Sequence, residues 1–211
     1  MSDALDPSQF HEIDTQTVRV EEFGIKGRIL DIGGGGEGII GRVNGGIVVA
    51  VDPREEELEE AVNDSLKIVM DAADLKFLDD TFSLAASFFS LLYIDREKRD
   101  RVFREVFRVL EPGGRFKIWD VEIRPPAAAE RVVFVVPLRI VIPAGVVETK
   151  YGVLWDEAAQ SRSGYEKLAR ETGFETVESE LVDQLFTLTL RKPSRGPSRS
   201  EAVRSRSPRV I

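Results

Sequence analysis

Arg28-Ile29-Leu30-Asp31-Ile32-Gly33-Gly34-Gly35-Gly36-Glu37-Gly38 is the stretch that decides the fold. A short apolar run stops at four consecutive glycines, and Gly38-Ile39-Ile40-Gly41-Arg42-Val43 then reads as a helix start. This is the pattern of a buried strand that enters a tight turn and leaves it as a helix. Glycines at such a turn admit positive φ and let a ligand approach the backbone. The helix start adds unpaired N–H groups. Gly33, Gly35 and Gly38 also satisfy G-x-G-x-x-G, a pattern shared with dinucleotide enzymes and open to a purely structural glycine turn. Alone, the loop points no further than a nucleotide-like ligand.

The same alternation continues outward. Ile47 to Asp52 is a second strand, continuously apolar as a parallel strand covered on both faces should be. Arg54 to Asn63 reads as a charged helix, Ser65 to Met70 as a third strand and Phe82 to Phe89 as a fourth. In Arg96 to Leu110, the residues Val102, Phe103, Val106, Phe107 and Leu110 recur at helical spacing. Glu111-Pro112-Gly113-Gly114 ends that helix, and Arg115 to Val121 is a fifth strand. Strands alternating with helices imply an α/β, doubly wound, mostly parallel sheet. Beyond it, Arg131 to Ile142 and Val146 to Trp155 read as a hairpin turning near Pro143-Ala144-Gly145. Asp156 to Thr172 is an expected helix, and Phe174 to Leu181 and Gln184 to Arg191 are two final strands. Residues 1–22 read as a lead-in, 23–191 as one domain with a hairpin insertion at about 131–155, and 192–211 as a disordered tail rich in Ser, Arg and Pro.

The 211 residues suffice for one core, and the absence of cysteine excludes disulfides, thiolate zinc sites and a cysteine nucleophile. His11 is the only histidine, which argues against a Ser-His-Asp triad or a multi-histidine metal site, so no metal is expected. No signal peptide is recognisable, and no stretch reaches the roughly 18 apolar residues of a membrane span. A cytoplasmic protein with no membrane partner is the expectation. The net charge is −8, yet six Lys/Arg against one Glu fall from Lys192 onward, so the body is more acidic than the total suggests. An acidic body disfavours nucleic acid as the main partner.

Three acids sharpen the reading of the loop. Asp31 lies two residues before the first glycine, where a carboxylate would repel a pyrophosphate but accept hydrogen bonds from a ligand amine. Asp52 ends the second strand, a position suited to both hydroxyls of a ribose. Asp71, followed by Ala72, ends the third strand and could accept from an exocyclic adenine amine. Each alone could be a strand-end cap. Together they stand at successive strand ends, where doubly wound sheets bind ligands.

From Ile25 to Glu122 the ordered motifs resemble those of the class I S-adenosylmethionine-dependent methyltransferases. The motifs are Leu30-Asp31-Ile32-Gly33-Gly34-Gly35, Val51-Asp52-Pro53, Met70-Asp71-Ala72, the fourth-strand region Phe77 to Ile94, and Arg108 to Phe116 with its Glu111-Pro112-Gly113-Gly114 turn. The resemblance implies a Rossmann-like sheet of seven strands, the last antiparallel, and S-adenosylmethionine as cofactor. It places Gly33, Gly34 and Gly35 against the methionine part and Asp52 on the ribose hydroxyls. Pro53 and Ala72 would flank the adenine, with Asp71 on its amine and Phe88 near the methionine or the acceptor. Two positions depart from the family pattern: Glu37 stands where a third loop glycine is common, and Ser83 replaces a common aspartate.

Methyl transfer from a sulfonium works mainly by alignment and desolvation, so no catalytic residue need be obvious, and none is assigned. Asp120 and Glu122, at the end of the fifth strand, are candidate bases, with solvated strand-end acids the simpler reading. Tyr93, Asp120, Tyr151 and Trp155 are candidates for the acceptor pocket; core or hairpin packing is an equal alternative for the three aromatic residues. A small-molecule acceptor is expected first and a protein acceptor second. The hairpin is expected to cap the site or to form a homodimer surface. The competing classes are a nicotinamide-dependent oxidoreductase and a non-catalytic S-adenosylmethionine-binding protein.

Overall fold

A computed structural model describes residues 6–125, 132–155 and 159–194. In chain order the strands are β1 (Phe10–Glu12), β2 (Gln16–Arg19), β3 (Ile29–Ile32), β4 (Val48–Asp52), β5 (Leu66–Val69), β6 (Phe82–Phe88), β7 (Leu110–Val121), β8 (Val133–Ile142), β9 (Gly145–Leu154), β10 (Glu175–Val182) and β11 (Leu185–Arg191). The α-helices are α1 (Ile39–Asn44), α2 (Glu55–Glu60), α3 (Arg96–Val109) and α4 (Arg162–Thr172). Seven strands form the main sheet in the order β10-β11-β7-β6-β3-β4-β5, with β11 antiparallel to both its neighbours. The β5–β4, β4–β3, β3–β6 and β6–β7 pairs are parallel.

The continuous apolar run of β3 and β4 follows from their central place, since every residue of both is buried. Side chains alternate between two cores. Leu30, Ile32, Val49 and Val51 meet Val102, Phe103, Val106 and Val109 of α3 and Tyr165 and Ala169 of α4. Ile29, Val48, Leu84 and Trp119 meet Ile39, Ile40 and Val43 of α1.

The second core is closed by a small sheet built around β8. β9 pairs with one edge of β8 antiparallel; β1 and β2 pair in succession along the other, parallel to it. The gap between β1 and β2 falls beside Val136-Pro137, because Glu12 pairs with Val135 and Gln16 with Leu138. A proline has no N–H to give to a ladder, so an interruption there is expected. Val18, Val20, Phe134, Val136, Leu138 and Ile140 join the same core as the sheet below. His11 stacks on Trp155 at a ring separation of 4.5 Å.

Several boundaries differ from the sequence reading. The lead-in supplies β1 and β2. α2 is shorter than Arg54 to Asn63: Asn63 has left the helix, its Nδ2 donating to the Gly38 carbonyl at 3.1 Å while its Oδ1 accepts from the Ser65 N–H. β7 begins at Leu110 rather than Arg115, directly after α3, and its irregular register against β6 falls where Pro112-Gly113-Gly114 passes. α4 starts at Arg162, with the Ser161 hydroxyl accepting from the Gly164 N–H. Residues 131 and 156–158 and the tail from 195 onward lie outside the described residues.

The buried valines of the lead-in make its contribution measurable. Val18→Ala and Val20→Ala should each lower unfolding stability by about 1–3 kcal/mol. The readout is a lowered urea midpoint at unchanged slope. An unchanged midpoint would show that this segment is only appended to the domain.

Candidate functional site

The carboxyl ends of β3, β4 and β6, together with the turn after β5, open into a cavity of about 760 Å³. Asp31, Gly33, Gly34, Gly35, Asp52, Pro53, Asp71, Ala72 and Phe88, the nine residues expected around a cofactor, all line it. So do Tyr93 and Tyr151. Parallel pairing explains the convergence: Asp31 sits opposite Ala50 on β4 and Ala86 on β6, so neighbouring strands end at one level.

The glycine loop is shaped by the protein itself. Gly33 has φ +68°, and a Cβ there would lie 2.4 Å from the Ser90 Cβ. A Cβ on Gly34 would lie 2.6 Å from Asp31 Oδ2 and 2.7 Å from the Ala50 Cβ. The Gly33 and Gly34 N–H groups donate to the Val51 carbonyl, at 2.8 and 3.2 Å, and the Gly36 N–H to the Glu57 carbonyl at 2.7 Å. These donors are therefore already engaged and do not form an anion nest. The Ser90 hydroxyl donates to the Ile32 carbonyl at 2.5 Å and lies 2.7 Å from the Ser87 hydroxyl, tying the ends of β3 and β6 together.

The wall is acidic. Asp31, Glu37, Asp52, Glu57, Glu60 and Asp71 face it, against only Arg54 and Lys150. Asp31 is 2% exposed, and its carboxylate makes no hydrogen bond or ion pair among the described residues. Burial, and secondarily the charge of Asp52, hold its carboxyl well above the usual range. Burial also raises Asp52, opposed by the Arg54 N–H at 2.9 Å and the Arg54 charge. Asp71 Oδ1 accepts from the Ala73 N–H at 2.8 Å, so part of its role is to form the turn. Burial pushes the Tyr93 hydroxyl up to about 12, with Glu37 adding to the shift.

Two expected residues are not brought to the cavity. Trp155 is buried in the small sheet, its indole N–H donating to the Arg124 carbonyl at 2.6 Å. Asp120 is buried on the other face of β7. Its Oδ1 accepts from the Val121 N–H at 2.8 Å and from Gln160 Nε2 at 2.6 Å, while Tyr165 donates to Gln160 Oε1 at 2.5 Å. The guanidinium of buried Arg99 lies 5.8 Å from the centre of the Tyr165 ring. Asp120 therefore joins β7 to the start of α4. Sequence reasoning missed Glu57, Glu60, Phe89, Ser90 and Lys150 as cavity residues. Of these, Phe89 carried a local signal, adjoining Phe88 at the end of the apolar fourth strand.

Residues 30–118 match a family described as a methyltransferase domain. That match spans less than half of the chain and coincides with the motifs that resemble the class I S-adenosylmethionine-dependent methyltransferases, a family whose cofactor is S-adenosylmethionine. A sterol 4-C-methyltransferase of Caenorhabditis elegans is 35% identical over 105 residues, covering 46% of this chain and 29% of that protein. The chain spans less than a third of the length of the curated relatives it matches. An S-adenosylmethionine-dependent methyltransferase from Mesorhizobium loti shares the fold with a TM-score of 0.54 and 17% identity, over 78% of this chain and 90% of that one. The cyclase SpnF shares it with a TM-score of 0.58 and 19% identity, over 82% and 77%.

Burial raises the Asp120 carboxyl to about 7, opposed by the Val121 N–H, Gln160 and Arg99. The native state then holds a proton that the unfolded chain releases near pH 4. Stability should fall as pH rises across this window, by at most about 1.4 kcal/mol per unit from this group. Asp120→Asn keeps an acceptor for Gln160 and should flatten that slope in urea titrations at successive pH values. Parallel slopes for variant and wild type would assign the proton elsewhere.

Proposed function

We propose that the protein is an S-adenosylmethionine-dependent methyltransferase acting on a small molecule. The observation that carries this reading is a buried, unpartnered Asp31 in an acidic cavity, followed by Asp52 and Asp71 at the next two strand ends. A cofactor bearing an ammonium and a sulfonium fits such a wall; a dinucleotide pyrophosphate meets carboxylates, and the Gly33, Gly34 and Gly36 N–H groups are already engaged. Bound there, S-adenosylmethionine supplies an electrophilic methyl group on a leaving group that needs no further activation.

The chain's own residues then bind and orient. Asp31 accepts from the ammonium, Asp52 from the ribose hydroxyls and Asp71 from the adenine amine, with Pro53 and Ala72 beside the base. Gly33, Gly34 and Gly35 lie against the methionine part. Phe88, Phe89, Tyr93 and Tyr151 offer an aromatic wall for the acceptor and exclude water around it. The sterol named for the nematode relative supports a small apolar acceptor, with a protein acceptor as the second candidate. Among the described residues no helix is long and apolar enough to cross a membrane.

Calorimetry should show S-adenosylhomocysteine binding and no NAD binding; the reverse result would overturn the cofactor assignment. Asp52→Asn should weaken that binding roughly tenfold or more, as loss of a charged acceptor predicts. Affinity for S-adenosylmethionine should drop with falling pH earlier than ordinary carboxylates would dictate, because Asp31 and Asp52 take up protons at raised pH. Because the same fold also houses a cyclase, transfer itself needs a direct assay. Labelled cofactor incubated with fractionated extract should mark the small-molecule fraction; label confined to protein would redirect the acceptor, and no label would favour a non-catalytic binder.

A further inference from the structure

Glu37 is the loop residue that departs from the family's glycine pattern, and the structure gives its side chain a partner far along the chain. Its carboxylate accepts a hydrogen bond from the Tyr151 hydroxyl at 2.7 Å and another from the Thr149 hydroxyl, both on β9. The backbone permits the side chain because the positive φ values fall on either side of it, at Gly36 (+56°) and Gly38 (+54°). Residue 37 itself is left in a conformation open to any L residue.

These two bonds tie the glycine loop to the small sheet above it. Lys150, Tyr151 and Gly152 line the cavity together with Gly33 to Gly38. Tyr151 is further held by ring contacts to Phe89 at 5.8 Å and Tyr93 at 6.4 Å. The small sheet is also held at the Trp155 indole, along the β8 edge where β1 and β2 pair, by the Lys150–Glu12 ion pair, and by the core that Phe134, Val136, Leu138 and Ile140 share with the main sheet. On the cavity side the middle of β9 is hydrogen-bonded to the glycine loop through the Glu37 carboxylate.

We propose that Glu37 is a positioning residue that latches β9 across the glycine loop, so that cofactor exchange requires its bonds to Thr149 and Tyr151 to break. The inference rests on the cofactor reading above. The latch acts on both entry and exit: loosening it raises association and dissociation rates together and changes the dissociation constant less than either. A carboxylate that touched the cofactor directly would behave differently, since its loss would speed dissociation alone.

The experiment is stopped-flow binding of S-adenosylhomocysteine to the full chain, with wild type, Glu37→Gly, Glu37→Gln, Tyr151→Phe, Thr149→Val and the Glu37→Gly/Tyr151→Phe pair. Glu37→Gly should raise both rates roughly tenfold, the scale of lost hydrogen bonds to a charged group. Glu37→Gln, which keeps an acceptor oxygen, should fall between it and wild type. The paired variant should exceed Glu37→Gly little, because both changes break one contact. Amide hydrogen exchange over 146–152 in the ligand-free protein should accelerate in the same order, a readout that stands even if the wild type does not bind the nucleoside. If Glu37→Gly fails to fold, Tyr151→Phe and Thr149→Val carry the same test. Unchanged exchange with unchanged rates, a rise in dissociation alone, or fully additive effects would each overturn the latch.

Discussion

Parallel pairing of β3 with β4 on one side and β6 on the other is the constraint on which the rest depends. Parallel neighbours need crossover connections, and crossovers bring helices or other cover onto both faces. The strands must then be apolar on both sides. Polar function is left to the strand ends, where chain direction makes neighbouring strands finish together. Asp31, Asp52 and Asp71 converge for this reason, although the sequence separates them by some twenty residues each time.

The same constraint explains the form of the glycine loop. To turn from β3 into α1 it must pass close to Ser90, Ala50 and Glu57, and a side chain at Gly33, Gly34 or Gly35 would collide with those neighbours. The glycines thus serve packing within the protein before any ligand arrives. The Gly33 and Gly34 N–H groups bond to the Val51 carbonyl, and the Gly36 N–H to the Glu57 carbonyl, for the same reason. What distinguishes this site from a phosphate cradle is the orientation of donors inward and carboxylates outward, not the number of glycines.

What could be read from the sequence follows the range of the interactions involved. The central strands, α3 and the acids at strand ends are set by local pattern and chain direction, and they were legible. β1 and β2 are short and find their partner more than 120 residues later, so nothing local marks them as strands. Glu37 stood out as a departure, but its partners on β9 lie more than 110 residues away. Asp120 was misplaced for another reason: position at a strand end says nothing about face. Period-2 alternation puts it with Phe116 and Ile118, which pack toward α3 and α4, while Trp119 faces the opposite core. That signal was present in the sequence.

The two buried acids show how position separates structure from binding. Asp120 is enclosed with a glutamine, a tyrosine and an arginine nearby, which offset part of the cost of burial through Oδ1, while Oδ2 has no hydrogen-bond partner among the described residues. Asp31 is equally removed from bulk water but faces the cavity, and no cation or N–H of the described protein reaches it. A buried carboxylate without a partner destabilises the ligand-free state or holds a proton. The compensation must come from outside the chain, and a cationic ligand supplies it directly. The site's preference for positive charge then has one cause: the β3 ladder holds Asp31 at the cavity wall with no cation of the described residues paired to it.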